Sequence, residues 1–266
     1  MDRSGVEPVR RRFIRWVGQH RRAEWVRKAG ELPLRRDMVT LLRYIRENRV
    51  VGTQSTGNMP LKDVRKVTAC FVHPPELDHR LGDRVYRLRS EANLWPLYFL
   101  HILAEVGELV SVAPGRRWRV TPDGVSFLGW DPLSQLSFLL TVWWYRVNWL
   151  VAYPYEGMGE ELPDAFGETV LERLLSLPVG QRIPFQEFAD ELIESTGLTW
   201  TAQVRSARML LQGSIRRMIV GILAVFGAIE REHEEEPLGK GTITDLVAFE
   251  ITPLGRVLLE VLAAVT

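Results

Sequence analysis

At roughly 150 residues per domain, a chain of 266 residues has the length for two domains of ordinary size. Apolar residues make up 46% and charged residues 25%, values that exclude a disordered, collagen-like or disulfide-stapled chain. Thirty-four basic residues against 33 acidic ones leave a formal charge of +1, so any affinity for polyanions has to come from local charge.

The charge is segregated along the chain: residues 1–36 carry +7, residues 37–160 carry +1 and residues 161–266 carry −7. In the first block Pro8 opens a helix. At 100° per residue, Val9, Phe13, Trp16 and Val17 fall on one side of it and Arg11, Arg15 and Arg22 on the other. Those arginines read either as phosphate contacts or as a solvated helix face. A membrane-surface helix would call for a second anchoring signal, and the sequence shows none. The expectation is a basic amphipathic arm over residues 1–34.

A first domain is expected over residues 35–155. Its first helix, Arg36 to Asn48, places Met38, Leu41, Leu42 and Ile45 at helical spacing. A second helix starts behind Pro60, where proline loses no hydrogen bond. The following loop holds Cys70, His73 and His79 with Glu76 and Asp78 between, but the spacing fits no standard zinc pattern and lacks a second ligand pair. It reads as a loop with exposed histidines and a core cysteine. Arg84, Arg87, Arg89 and Asn93 lead into a strongly apolar third helix, Leu94 to Leu103, about 20 residues after the second helix and so beyond a tight helix-turn-helix turn. A hairpin follows from Leu109 to Val120: Pro114-Gly115 turns, Arg116 sits at the tip, Arg117 and Arg119 share one face, and Trp118 and Val120 the other. The arginines suit phosphate contacts or, alternatively, simple solubility at an edge strand. Trp143, Trp144, Tyr145, Trp149, Tyr153 and Tyr155 read as filling of the joint between domains. The alternative turns Trp144 and Asn148 outward for stacking. Tyr155 to Glu160 is the natural linker.

A second domain is expected over residues 161–266. Its first helix runs from Glu168 to Leu177, and Ile183-Pro184 leads the second. From Thr201 to Phe226 the pattern is helical, with Arg205, Arg208, Gln212 and Arg216 in one stripe opposite Leu211, Ile215 and Met218. Arginine and glutamine read purines by paired hydrogen bonds, which makes the stripe either a recognition surface or a solvated or salt-bridged face. The hairpin Ala228 to Ile251 carries Glu230, Glu232, Glu234, Glu235 and Glu236, which repel phosphate. It suits a protein partner, or self-association through the basic amino-terminal block of another copy. Within it, Leu238 to Thr242 lacks the glycine and the Ser/Thr of a phosphate loop and reads as a glycine turn.

The two domains repeat one pattern. Ile102 to Val110 recurs 120 positions on as Ile222 to Glu230, Met59 to Val64 recurs 124 on as Ile183 to Phe188, and Val120 to Gly124 recurs 131 on as Ile251 to Gly255. Gly107 and Gly227 each read as a left-handed residue ending a helix, and the growing offset places an 11-residue insertion in the second hairpin. Each Thr-Pro reads as the cap of a closing helix. Helix, strand, helix, helix and hairpin is the order of a winged helix. The expected fold is mainly α with small β-hairpins: two tandem winged-helix domains preceded by the basic helix.

The run from Met38 to Trp149 carries a family likeness, concentrated in Leu97 to Gly107, Arg119 to Gly124 and Val142-Trp143-Trp144. It resembles winged-helix segments of bacterial helicase-associated and plasmid-encoded proteins. The resemblance implies a nucleic-acid setting and carries over no catalytic residue. The sequence has no Gly-x-Ser-x-Gly elbow and no His-Glu-x-x-His pair, so the expectation is a non-enzymatic protein with no cofactor and no metal. A single cysteine suits a reducing compartment, the longest uncharged apolar runs fall short of the ~20 residues of a membrane span, and Met1 to Gly5 does not read as a signal peptide. A cytoplasmic protein that binds duplex DNA is the leading expectation, as a transcriptional regulator or nucleoprotein component. The alternative is a protein–protein assembly module.

Overall fold

A computed structural model describes residues 22–81, 84–152, 162–200, 206–238 and 241–265. The chain is mainly helical with small antiparallel sheets, and its described residues fall into two compact units that divide between Val147 and Asn148. Among them, no helix is long and apolar enough to cross a membrane.

The first unit opens with α1 (Ala23–Glu31) and α2 (Pro33–Glu47). Proline at the first position starts α2, and Leu34, Met38, Leu41, Leu42 and Ile45 form its buried stripe. Sequence reading places residues 23–34 in the arm, whereas α1 belongs to this compact unit, with Ala29 fully buried. After α3 (Leu61–Thr68) comes a hairpin that the sequence reading passes over, β1 (Asp78–Leu81) paired with β2 (Arg84–Arg87). It occupies the long gap before α4 (Trp95–Val106). The pair β3 (Val110–Ser111) and β4 (Arg119–Val120) follows, then α5 (Pro122–Leu128) and α6 (Pro132–Tyr145). Asp131 caps α6, its Oδ1 accepting from the amides of Leu133 and Ser134 at 3.1 Å each. Helix α6 is apolar nearly all round and is correspondingly buried, from Leu133 to Trp144.

The second unit contains α7 (Trp149–Ala152), α8 (Phe166–Ser176), β5 (Ile183–Pro184), α9 (Phe185–Thr196) and α10 (Ala207–Ile215). A π-helical segment, Arg216–Gly221, joins α10 to α11 (Ile222–Val225), so the expected helix is underwound and wider for one stretch. The long hairpin β6 (Ile229–Leu238) and β7 (Gly241–Ile251) is paired along its length, from Ile229 with Ile251 to Leu238 with Gly241. The sheet order is β5-β7-β6, which leaves β6 at an edge, and α12 (Pro253–Val265) closes the unit.

The repeat is present in hydrogen bonds, but its register differs from the sequence match by one residue. Leu109 N bonds to Ala104 O at 2.8 Å, and Ala228 N bonds to Leu223 O at 2.9 Å. Thr121 N then bonds to Leu109 O, and Thr252 N to Ala228 O, both at 3.0 Å. Leu109 is therefore the counterpart of Ala228, and Glu108 the counterpart of Gly227; both stand at positive φ, 58° and 68°. Gly107 has φ −74° and is not the left-handed residue that the sequence suggests. A Cβ there would lie 2.6 Å from Leu103 O and 3.3 Å from Phe138 of α6. The second unit has no α6 counterpart, and buried Phe226 takes the equivalent place. With this register the hairpin insertion is 12 residues rather than 11.

The Thr-Pro-x-Gly motif has one physical explanation in both copies. The Thr121 hydroxyl accepts from Gly124 N at 3.0 Å, and that of Thr252 accepts from Gly255 N at 2.7 Å. The same hydroxyls donate to the carbonyls of Glu108 and Gly227, at 2.6 and 2.8 Å. A Cβ on Gly124 or Gly255 would run into the carbonyl of Leu109 or Ala228.

The aromatic run belongs to two cores. Trp143 meets Phe99 edge-on at 5.3 Å within the first unit, and Trp149 meets Phe166 at 6.1 Å within the second. Trp144 is buried rather than outward, and Tyr145 is 40% exposed. Tyr153, Tyr155 and the linker lie outside the described residues.

Candidate nucleic-acid interface

The first hairpin turns at Gly115, φ 64°, where Arg116 N bonds to Ala113 O at 3.0 Å. A third strand segment supports it: Val51 bridges Arg117, Gly52 N bonds to Arg116 O at 2.9 Å and Trp118 N to Val50 O at 3.0 Å. Alternation then does what the sequence pattern predicts. Trp118 is 1% exposed, while Arg116, Arg117 and Arg119 are exposed, and none of the three forms an ion pair among the described residues. Arg49, which the sequence reading passes over, is exposed two residues before Val51 and likewise forms no ion pair there. The signal for it lay only in strand pairing.

Trp118 anchors this surface. Its Nε1 donates to Gly57 O at 3.0 Å, and its ring lies 4.5 Å from the imidazole of His101. His101 in turn binds Glu91 through Nδ1 at 2.9 Å and lies 3.3 Å from Glu105 through Nε2. Glu91, fully buried, also accepts from Met59 N at 2.5 Å. Burial by itself would lower the imidazole pKa, but the nearby carboxylates of Glu105 and Glu91 outweigh it and hold His101 up at about 9. The imidazolium form is thus the favoured one, beside the buried Glu91 and tilted 50° against the ring of Trp118. A lone histidine in an apolar helix gave no hint of this.

The arginine stripe of the second unit has a different environment. Arg208 bonds to Asp190 at 2.7 Å and to Glu194 at 3.0 Å, Gln212 bonds to Asp190 at 2.7 Å, and Arg216 bonds to Asp245 at 2.7 Å. The bond from Arg208 holds the Asp190 carboxyl below its ordinary range, and Asp190 and Glu194 push the Arg208 guanidinium up. The carboxylates come from α9 and β7, elements distant in sequence from the stripe. Of the two sequence readings, this geometry is the salt-bridged face. On the hairpin, Glu232 pairs with Arg182 at 2.7 Å, while Glu230, Glu234 and Glu235 are exposed with no ion pair among the described residues.

Of the remaining candidates, Arg22, Arg87 and Arg89 are exposed, and none forms an ion pair among the described residues. Arg11, Arg15 and Arg205 lie outside the described residues. Cys70 is exposed at the end of α3 rather than in the core, its thiol directed to Lys66 O at 3.6 Å, and His73 is exposed. No cluster of three or more His, Cys, Asp or Glu side chains arranged for a metal occurs among the described residues.

The geometry stands without a relative to borrow from: no protein-family model, no curated protein and no solved structure matches the chain.

Proposed function

We propose that this chain is a non-enzymatic tandem winged-helix protein that binds duplex DNA, with the wing of its first unit as the main phosphate contact. The element order supports the fold reading: the second unit runs helix, short strand segment, helix, helix, hairpin and helix, and the first runs the same way from α2 to α5 with the β1–β2 hairpin inserted before α4. One observation carries the function: Arg116, Arg117 and Arg119 stand exposed on a strand anchored by buried Trp118, with no carboxylate to neutralise them among the described residues. Phosphate is the chemistry such guanidiniums accept, by charge and by paired N–H donors. The third helix of this unit is mostly buried and apolar, so contact runs through the backbone of DNA rather than its base edges.

The test is fluorescence anisotropy of a labelled random-sequence duplex at about 50 and 200 mM salt, where each phosphate contact adds roughly 0.9 to the salt slope. The Arg116→Ala, Arg117→Ala, Arg119→Ala triple variant is expected to bind more weakly to every sequence and to lose about 3 from that slope. Unchanged affinity and slope would overturn the assignment.

A second reading attaches to the second unit. Its exposed Glu230, Glu234 and Glu235 disfavour DNA and favour a basic protein segment.

A further inference from the structure

The sheet that carries the wing of the first unit is wider than its hairpin. Strand β4 lies in its middle: Arg119 pairs with Ser111 of β3 on one side, and on the other Arg117 bridges Val51. The hydrogen bond from Trp118 N to Val50 O, at 3.0 Å, carries that second pairing one residue further, and its register sets Arg49 opposite Arg119. Val50 and Trp118 are both buried, so alternation turns their neighbours to the other face. There Arg49, Arg117 and Arg119 are exposed together, with Ser111 beside them and Arg116 at the tip.

Two guanidiniums set opposite each other across a sheet repel, and such a pair costs stability unless a counter-charge lies close. Among the described residues no carboxylate forms an ion pair with Arg49, Arg116, Arg117 or Arg119; Glu47, two residues before Arg49, pairs with Arg46 instead, at 3.6 Å. Protection against edge pairing accounts for charge on an outer strand, but Arg117 and Arg119 stand on the middle one. The four arginines are spread along an open sheet face, unlike the concave sites that take small ligands. An extended polyanion is the ligand that meets several such cations at once.

We propose that Arg49 forms with Arg119 a phosphate site on this face, so that the backbone of a nucleic acid runs across the sheet and not over the wing tip alone. The proposal rests on the reading of the first wing as a phosphate contact, and it adds a binding residue from outside the hairpin. A phosphate between the two guanidiniums accepts N–H donors from both and supplies the negative charge that the pair lacks. Binding thereby relieves a repulsion present in the free fold. Arg49 contributes to affinity at the expense of stability, a combination that a merely structural residue does not show.

The test measures binding and stability on the same full-length variants. Arg49→Ala is expected to bind a labelled random-sequence duplex about tenfold more weakly and to lose about 0.9 from the salt slope, with no fall in the urea midpoint. Arg49→Glu sets a carboxylate opposite Arg119 and is expected to raise the midpoint while binding more weakly still. Arg231→Glu makes the same change of charge at an exposed position of the second hairpin and is expected to leave binding close to native. A midpoint that falls together with affinity, or an equal loss of binding in Arg231→Glu, overturns the proposal, as does a labelled oligoglutamate that binds as tightly as the duplex. Native affinity and slope in Arg49→Glu, with the Arg116, Arg117 and Arg119 triple variant still weakened, overturns it and leaves the wing reading in place. Native binding in both overturns the two together.

Discussion

In the first unit the hairpin is short and its arginines are exposed and unpaired, whereas in the second it is long and acidic and the arginines sit on the preceding helix, bonded to Asp190, Glu194 and Asp245. Arginine is abundant in both units, but among the described residues the first hairpin presents Arg116, Arg117 and Arg119 exposed and without an ion pair, while Arg208 and Arg216 of the second unit are paired. A guanidinium held by two carboxylates of its own domain offers little to phosphate, because binding would have to break those bonds first. The junction between third helix and hairpin repeats this lesson on the backbone. One hydrogen-bond pattern is built once with Gly107-Glu108-Leu109 and once with Phe226-Gly227-Ala228.

The largest effect is expected where the two copies are alike. Gly124→Ala and Gly255→Ala each force a Cβ against a backbone carbonyl that neither element can move, and each is expected to cost about 3 kcal/mol or more in urea unfolding. A cost below about 1 kcal/mol at either glycine would break the equivalence of the motifs.

The next is expected in the first unit alone. His101 titrates near 9 when folded and near 6.5 when unfolded, so its contribution is complete below pH ~6.5 and is lost as pH rises through about 9. At about 1.4 kcal/mol per pH unit, that contribution is on the order of 3 kcal/mol. The midpoint of unfolding should fall with pH across this window in the native chain, and His101→Gln should flatten the dependence; parallel curves would remove the buried imidazolium from the account.

A smaller but sharper contrast concerns binding. Arg208→Ala, Gln212→Ala and Arg216→Ala together are expected to leave DNA affinity and salt slope close to native, unlike the triple change on the first wing. A loss equal to that of the wing variant would return the stripe to the interface.

The smallest effect is expected at the two left-handed positions. Glu108→Gly should stabilise the first unit by about 1 kcal/mol and Gly227→Ala should destabilise the second by a similar amount, both read from the shift in urea midpoint. Effects of equal sign would show that the one-residue register of the repeat is misassigned.

Much of the fold was legible in the sequence. Pro60, Pro122, Pro184 and Pro253 mark helix starts because the ring fits the first turn, and the alternation Arg117-Trp118-Arg119 gives a strand with one buried face. The β1–β2 hairpin is passed over because its strands are only four residues long and carry charge on both faces, although Gly82-Asp83 between them is a glycine-led two-residue turn signal. The off-by-one register was invisible: matching Gly107 to Gly227 satisfies the letters, while the backbone sets Glu108 in the left-handed place.

By itself, the amino-acid order determined the periodicities and the caps, which depend on neighbours within a few residues, and the segregation of charge, which depends on composition alone. Tertiary structure decided which charges are free. Asp190 reaches Arg208 across 18 positions, Asp245 reaches Arg216 across 29, and Glu91 fixes His101 beneath Trp118. Whether a charged group is available to a partner depends on the carboxylates and carbonyls that folding brings within about 3 Å of it, and no local pattern encodes that distance.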